Sequence, residues 1–352
     1  MIRGGLMLWI RTEGNPVIGL GHVMRCLSIA EAMRLCGEEV TFIFADDHMS
    51  ELVRDLGYPV VLLNTPWNDI ASELEIMRAL IARRTITKLL VDSYLVTPDY
   101  LQNLCELTYV IYLDDVNAFH YPCHMLINYH GYTEKFNYLG RYPDTTLLLG
   151  CRYVPLRREF HDLSQRVLSK DVKSVLVTTG GTDPGNTAEK LTQMVKELKD
   201  LRHLEFQIIT GRDTSQVERL KKTVGRFPGV VINKYMTAEM MAQKMTECDI
   251  AVSAGGATLY ELCACGTPTV VFSFVGNQSE SVTFFSRGYM IGAGDIRDNE
   301  VLCLDRMVEG IRSLVSDYEL RRELAGKTQD LIDGRGALRI AEKVRECGHV
   351  GN

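Results

Sequence analysis

The stretch DIAVSAGGATLYELCACGTPTVVFSFVGNQSES, residues 249–281, decides how the rest of the chain reads. An apolar strand, DIAVSA, runs into two glycines, Gly255 and Gly256. A helical pattern, ATLYELCACG, follows, then a tight CGTP turn and a second apolar strand, TPTVVFSF. Strands without polar alternation belong to parallel sheets covered on both faces by helices. The strand–glycine–helix junction leaves backbone N–H groups at the positive end of the helix, where an anion such as a diphosphate is stabilised. Glu261 lies about one and a half turns into that helix, within reach of both hydroxyls of a ribose. The apolar run LYELCA around it argues against a merely solvated charge. The next loop carries Asn277, Gln278 and Glu280, polar groups presented after a buried strand as ligand loops present them.

The same alternation extends in both directions. Upstream of it come KSVLVTTGG, a helix over about 186–200, EFQIITG, a polar helix, GVVINKY and the helix MTAEMMAQKMTEC. The first half reads LMLWIR, the helix HVMRCLSIAEAMRLCG, EVTFIFA, a helix through HMSELVRDLG, and PVVLL. A helix over about 69–84, KLLVDSY, the helical PDYLQNLCEL, YVIYLDD and MLINY complete it. Two doubly wound α/β domains are expected, 1–155 and 156–330, with 331–352 as a terminal helix and tail returning to the first domain, together with the preceding helix around 317–329. In such sheets ligands bind beyond the carboxyl ends of the strands, so a site in the cleft between the domains is expected.

Bulk composition narrows the function classes. The 352 residues are 46% apolar and 24% charged, with a net charge of −6 and only isolated basic pairs, which argues against a nucleic-acid surface. No stretch approaches the roughly 18 apolar residues of a membrane span. Ten cysteines are scattered without a CxxC pair, as reduced thiols of a cytoplasmic protein are. Cys263 and Cys265 are two apart on a helix and so point to different faces, and His120, His124 and His130 lack metal-ligand spacing.

A second glycine loop, TEGNPVIGLG, leads into a helix with Val23, Cys26, Leu27, Ala30 and Met33 along one stripe. Gly19 and Gly21 allow tight turns beside a ligand, but Met24 stands where a dinucleotide fingerprint needs its third glycine, even with Asp46 placed for a ribose. His22 sits at the helix start. The positive dipole end there predicts a neutral imidazole, suited to a general base acting on water; the alternative is a histidine that only bonds a phosphate. VLVTTGGTDPGNTAEKL is a third such junction, read either as a helix cap using Thr182 with Asn186 or Thr187, or as a phosphate contact. Of the acidic pairs, Asp46–Asp47 and Asp114–Asp115 read as caps and loop residues, whereas Asp92 and Tyr94 in VDSY end a central strand together.

Taken in order, IGLGHVMRCLSIA, VDSY, YLDD, LLGCRYVPLRREF, TTGGTDPGN, SAGGATLYELCACGTPTV and GNQSES resemble one family over about residues 7–340. It is the UDP-2,4-diacetamido-2,4,6-trideoxy-β-L-altropyranose hydrolases of pseudaminic acid biosynthesis, with relatives in spore-coat polysaccharide synthesis. The resemblance implies a GT-B fold, as in the N-acetylglucosaminyltransferase of peptidoglycan synthesis, with UDP held by the C-terminal domain. It makes His22 the catalytic histidine and puts Gly255, Gly256, Thr258 and Glu261 in the UDP-binding segment. Asn277 and Gln278 fall in the loop near sugar and diphosphate, and Asp92 and Tyr94 near the sugar. Gly19, Gly21, Arg25, Gly181, Thr182 and Glu280 complete the expected substrate-binding set. The family is metal-independent, so no metal and no cofactor are expected. Pro155, between Tyr153 and Arg157, departs from the family pattern, as do the six residues before Met7.

The implied reaction is inverting hydrolysis of the anomeric C–O bond, with His22 handling the water and UDP leaving. The expected protein is a cytoplasmic monomer whose partner is a UDP-sugar, with no nucleic acid and no membrane. A GT-B glycosyltransferase, an NAD-dependent oxidoreductase and a non-catalytic nucleotide-sugar sensor are the rival readings.

Overall fold

The computed structural model describes residues 7–15, 17–180, 183–211 and 214–347, without the side chains of Thr214 and Asn277. Gly181 and Thr182 therefore lie outside the described residues, as does the lead before Met7. The chain divides into two compact units. One comprises Met1–Arg158 with Arg335–Asn352, and the other Glu159–Gly334.

The first unit holds a seven-stranded parallel sheet of β1 (Met7–Thr12), β2 (Glu39–Phe44), β3 (Val60–Leu62), β4 (Lys88–Asp92), β5 (Tyr109–Leu113), β6 (Met125–Asn128) and β7 (Thr146–Leu149), in the order β3-β2-β1-β4-β5-β6-β7. The order turns back between β1 and β4, which pair with Thr12 opposite Asp92. Leu89, Leu90 and Val91 of β4 are fully buried, each stabilising the unit by about 1.5–3 kcal/mol relative to exposure. Such two-sided burial is why the strand shows no alternation. Lys88, also buried, donates from Nζ to the carbonyl of Val344 at 2.6 Å, in the last turn of the helix Gly336–Glu346. That bond satisfies an orphan carbonyl at the negative helix end and ties the terminal helix to this unit.

The second unit has six parallel strands, β8 (Ser174–Thr178), β9 (Glu205–Thr210), β10 (Val230–Lys234), β11 (Ile250–Ala254), β12 (Thr269–Ser273) and β13 (Ile291–Asp295), ordered β10-β9-β8-β11-β12-β13. β7 and β13 do not appear in the sequence reading. IGAGD carries two glycines, which strands disfavour, and the ladder slips register between Val271 and Phe272 beside Gly292 and Gly294. The helix Tyr318–Leu331 stays in this unit rather than returning to the first. Its buried Arg321 donates to the carbonyls of Leu314 and Val315 ending the helix Glu300–Ser316, and to those of Ser169 and Lys170. The helix Thr187–Glu197 is capped differently from expectation. Asp183 accepts from the N–H groups of Thr187 (2.9 Å) and Ala188 (3.0 Å), while Asn186 makes no side-chain cap.

Candidate functional site

In the first unit, the loop before the helix Gly21–Leu35 is shaped by Asn15. Its Oδ1 accepts from the N–H groups of Val17 and Ile18, and its carbonyl accepts from Gly19 N–H at 2.8 Å. Gly19 takes φ +80°, a left-handed conformation that a side chain would strain. The N-cap, Leu20, supplies no side-chain hydrogen bond, and Gly21 is exposed with open space where a Cβ would stand. The helix start, Gly21 and His22, therefore lies bare of a cap at the sheet's switch point.

Seven side chains, His22, Arg25, Asp92, Tyr94, Asp115, Tyr129 and His130, converge beyond the carboxyl ends of β4, β5 and β6. His22 Nδ1 is 3.0 Å from Asp92 Oδ1. One turn along the same helix, Arg25 grips Asp92 with two prongs, Nε to Oδ2 at 2.7 Å and Nη2 to Oδ1 at 2.5 Å. Its Nη1 reaches Asp115 Oδ2 at 2.6 Å and Tyr129 Oη at 3.0 Å. Asp115 also accepts from Tyr94 Oη at 2.6 Å and lies 3.2 Å from His130 Nε2. The Tyr94 ring closes the circuit by packing edge-on against His22, centroids 4.5 Å apart.

The electrostatics follow from one guanidinium shared by two carboxylates. Burial opposes the charge on Asp92 and Asp115, but Arg25, with a histidine at each, more than offsets it and holds both well below the usual carboxylate range. Burial likewise opposes an imidazolium at His22, yet the charge and hydrogen bond of Asp92 outweigh it and raise the His22 pKa. This corrects the expectation drawn from the helix dipole. A helix end contributes about 0.3–1 kcal/mol, whereas a charge pair at 3 Å contributes about 5 kcal/mol at an effective dielectric of ~20. With Nδ1 engaged by Asp92, no hydrogen bond to His22 Nε2 is formed among the described residues, so Nε2 is the nitrogen positioned to take a proton.

Arg25, expected to bind substrate, is engaged by Asp92, Asp115 and Tyr129. Asp92 is fully buried and saturated by His22, Arg25 and Cys26, whose thiol lies 3.4 Å from Oδ2. Tyr94 is 49% exposed and is the expected residue best placed to meet a ligand. Asp46 accepts from His48 N–H, a loop role. The Asp114–Asp115 pair splits: Asp114 caps Val116 and Asn117 and accepts from Tyr138, whereas Asp115 belongs to the site. Asp115, Tyr129 and His130 are the residues the sequence reading missed there. Strand alternation predicts that the two aspartates face opposite ways, but not that one meets Arg25.

Glu13, just past β1, is a further unread residue. It is buried, its Oε1 accepts from Ser93 Oγ at 2.8 Å, and its Oε2, 3.6 Å from Arg11 Nη1, has no hydrogen-bond partner among the described residues. Desolvation raises its pKa despite Arg11 nearby.

In the second unit, Gly255 follows β11 and is buried. A Cβ there would meet Val282 Cγ2 at 2.8 Å and Gln278 Cβ at 3.0 Å, so the residue is glycine for packing. Gly256 has room for a Cβ, the nearest atom being Gln278 Nε2 at 3.9 Å. Thr258 opens the helix Thr258–Ala264, and Glu261 is half-buried on it. Gln278 accepts from Phe274 N–H at 3.3 Å, bringing the loop after β12 against Gly255 and Gly256. Glu280 is exposed. Among the described residues no group of three or more His, Cys, Asp or Glu side chains could hold a metal ion, and no helix is long and apolar enough to cross a membrane.

Residues 174–316 match the glycosyltransferase family 28 C-terminal domain. The chain is 27% identical over 204 residues to the spore coat polysaccharide biosynthesis protein SpsG of Bacillus subtilis, covering 56% of this chain and 57% of that protein. It is 25% identical over 274 residues to an uncharacterised protein of Methanocaldococcus jannaschii, covering 74% of this chain and 54% of that protein. The chain thus spans about half the length of the curated relatives it matches. Among solved structures it is similar to Acinetobacter baumannii MurG, with a TM-score of 0.70, 14% identity and coverage of 97% of this chain and 99% of that one. It is also similar to the S. aureus MnaA–UDP co-structure, with a TM-score of 0.67, 13% identity and 96% of each chain covered. The fold is GT-B: two Rossmann-type units built on parallel sheets.

Proposed function

We propose that the protein is a UDP-sugar hydrolase that cleaves the anomeric C–O bond with inversion, releasing UDP and the free sugar. The observation that carries this reading is the 3.0 Å contact of His22 Nδ1 with a buried, ionised Asp92. It orients the imidazole and leaves Nε2 to accept a proton. In the proposed step a water oxygen bonds to the anomeric carbon while Nε2 takes the water proton. The bond to the β-phosphate oxygen breaks with its electron pair, which leaves on UDP. UDP is a good leaving group, so positioning, a base and charge stabilisation suffice for this chemistry. The uncapped start of the helix Gly21–Leu35 suits an anion, and in the second unit Gly255, Gly256, Thr258, Glu261, Asn277, Gln278 and Glu280 would form a nucleotide-binding segment. The sequence resemblance points to a 2,4-diacetamido-2,4,6-trideoxy hexose destined for a nonulosonic acid such as pseudaminic acid. The likeness to MnaA solved with UDP supports a uridine nucleotide.

The family 28 match over residues 174–316 favours one second reading, a transferase with the same donor half and another acceptor. Incubation with candidate UDP-sugars in ¹⁸O water, without added metal, tests the proposal. Labelled free sugar with UDP supports hydrolysis at carbon. UMP with sugar phosphate, or UDP release only when an acceptor is supplied, overturns it.

A further inference from the structure

The mechanism uses His22 and Asp92, but it leaves unexplained why a second buried carboxylate grips the same guanidinium. Asp115 touches Arg25 at 2.6 Å on the side opposite Asp92, and its side chain is only 10% exposed. It also accepts the Tyr94 hydroxyl, whose ring packs against His22. The chain of contacts is therefore His22–Asp92–Arg25–Asp115, returning through Tyr94 to His22.

We propose that Asp115 is a positioning residue that sets the basicity of His22 by sharing Arg25 with Asp92, and that through Tyr94 it holds the wall of the imidazole. The charges require this. Arg25 alone would neutralise Asp92 and weaken its pull on a proton at His22. With Asp115, itself in contact with His130 at 3.2 Å, drawing on the same guanidinium, Arg25 neutralises Asp92 less completely, and the charge left on Asp92 favours imidazolium. The groups facing His22 are Asp92 at the end of β4 and Tyr94 after it, Arg25 and Cys26 on its own helix, Asp115 after β5 and Glu13 after β1. Of these, Asp115 acts through Arg25 and without touching the ring nitrogens. The upward influence of Asp115 on the His22 pKa agrees with this geometry.

This inference deepens the hydrolase reading and rests on it only for its effect on rate. The test is Asp115→Asn in the full chain, with the His22 titration followed by NMR and kcat/KM followed against pH on a candidate UDP-sugar. Removing the negative charge gives Arg25 wholly to Asp92, so the His22 titration shifts to lower pH. If His22 is the base, the acid limb of kcat/KM follows it, and the variant keeps a larger share of its plateau rate at acid pH than the wild type. A titration that stays in place in a folded variant overturns the proposal, whatever the rate does. A titration that moves while the rate limb does not leaves Asp115 in this role and removes His22 as the base. If Asp115→Asn does not fold, Tyr94→Phe takes its place. Loss of the hydroxyl gives Asp115 more of Arg25, and the His22 titration then shifts upward; no shift, or a downward one, overturns the proposal.

Discussion

His22 Nδ1 and Asp92 Oδ1 lie 3.0 Å apart, joined across 70 residues of sequence by the meeting of a helix start and a strand end. The strand residue is fully buried and its carboxylate is doubly bonded by Arg25, so the imidazole is held against a charge that does not titrate near neutrality.

His22→Asn removes the proposed base while leaving the proposed nucleotide-binding groups in place. Turnover should fall by about 10²–10⁴-fold, the usual contribution of a general base, with UDP affinity by calorimetry close to wild type. Normal turnover would take His22 out of the mechanism.

Asp92→Asn should be worse for folding than for binding alone. It strips the buried Arg25 of its two-pronged partner, and breaking such a pair costs about 3–5 kcal/mol. A denaturant midpoint shifted to match, together with loss of turnover, is expected. An unchanged midpoint would show that Arg25 and Asp92 are not coupled as described.

The pH dependence has a definite sign. A base works only when neutral, and Asp92 raises the His22 pKa above its ordinary value of 6.5. Activity is therefore lost as pH falls through that raised value, and the acid limb of kcat/KM lies above pH 6.5. A limb at or below the ordinary value would contradict the pairing.

Glu13 makes an independent prediction about stability. Its folded pKa is raised above the unfolded value, so the folded state binds the proton more tightly. The stability it contributes is present at acid pH, below the unfolded value, and declines as pH rises through the folded one. Glu13→Gln should lose less stability than wild type between acid and neutral pH, as read from melting temperature against pH. Parallel curves would show that burying the Glu13 carboxylate carries no cost.

Gly255→Ala and Gly256→Ala separate packing from ligand approach. The first forces a methyl into Val282 and Gln278 and should cost about 1–3 kcal/mol. The second has room for its methyl, so any loss it causes should appear in UDP affinity and not in the melting temperature.

Both parallel sheets were legible because buried strands and amphipathic helices write their periods locally. Val23, Cys26, Leu27, Ala30 and Met33 form a stripe in the sequence and a buried face in the fold. β13 escaped notice because its glycines serve a register slip, a constraint imposed by β12 and not by its own residues.

What the sequence determined by itself was the α/β architecture, the two glycine-led junctions around Gly21 and Gly255, and the candidacy of His22 and Asp92. Each depends on spacing within one strand–loop–helix unit. Only the tertiary structure decided the occupation of Arg25, which meets Asp115 across 90 residues and Tyr129 across 104. It also decided that Asp92, and not the helix dipole, governs the charge of His22. The physical reason is that electrostatics acts through distance. Strand order and register bring four separate segments to one sheet edge, and no local pattern records which carboxylate a guanidinium will find there.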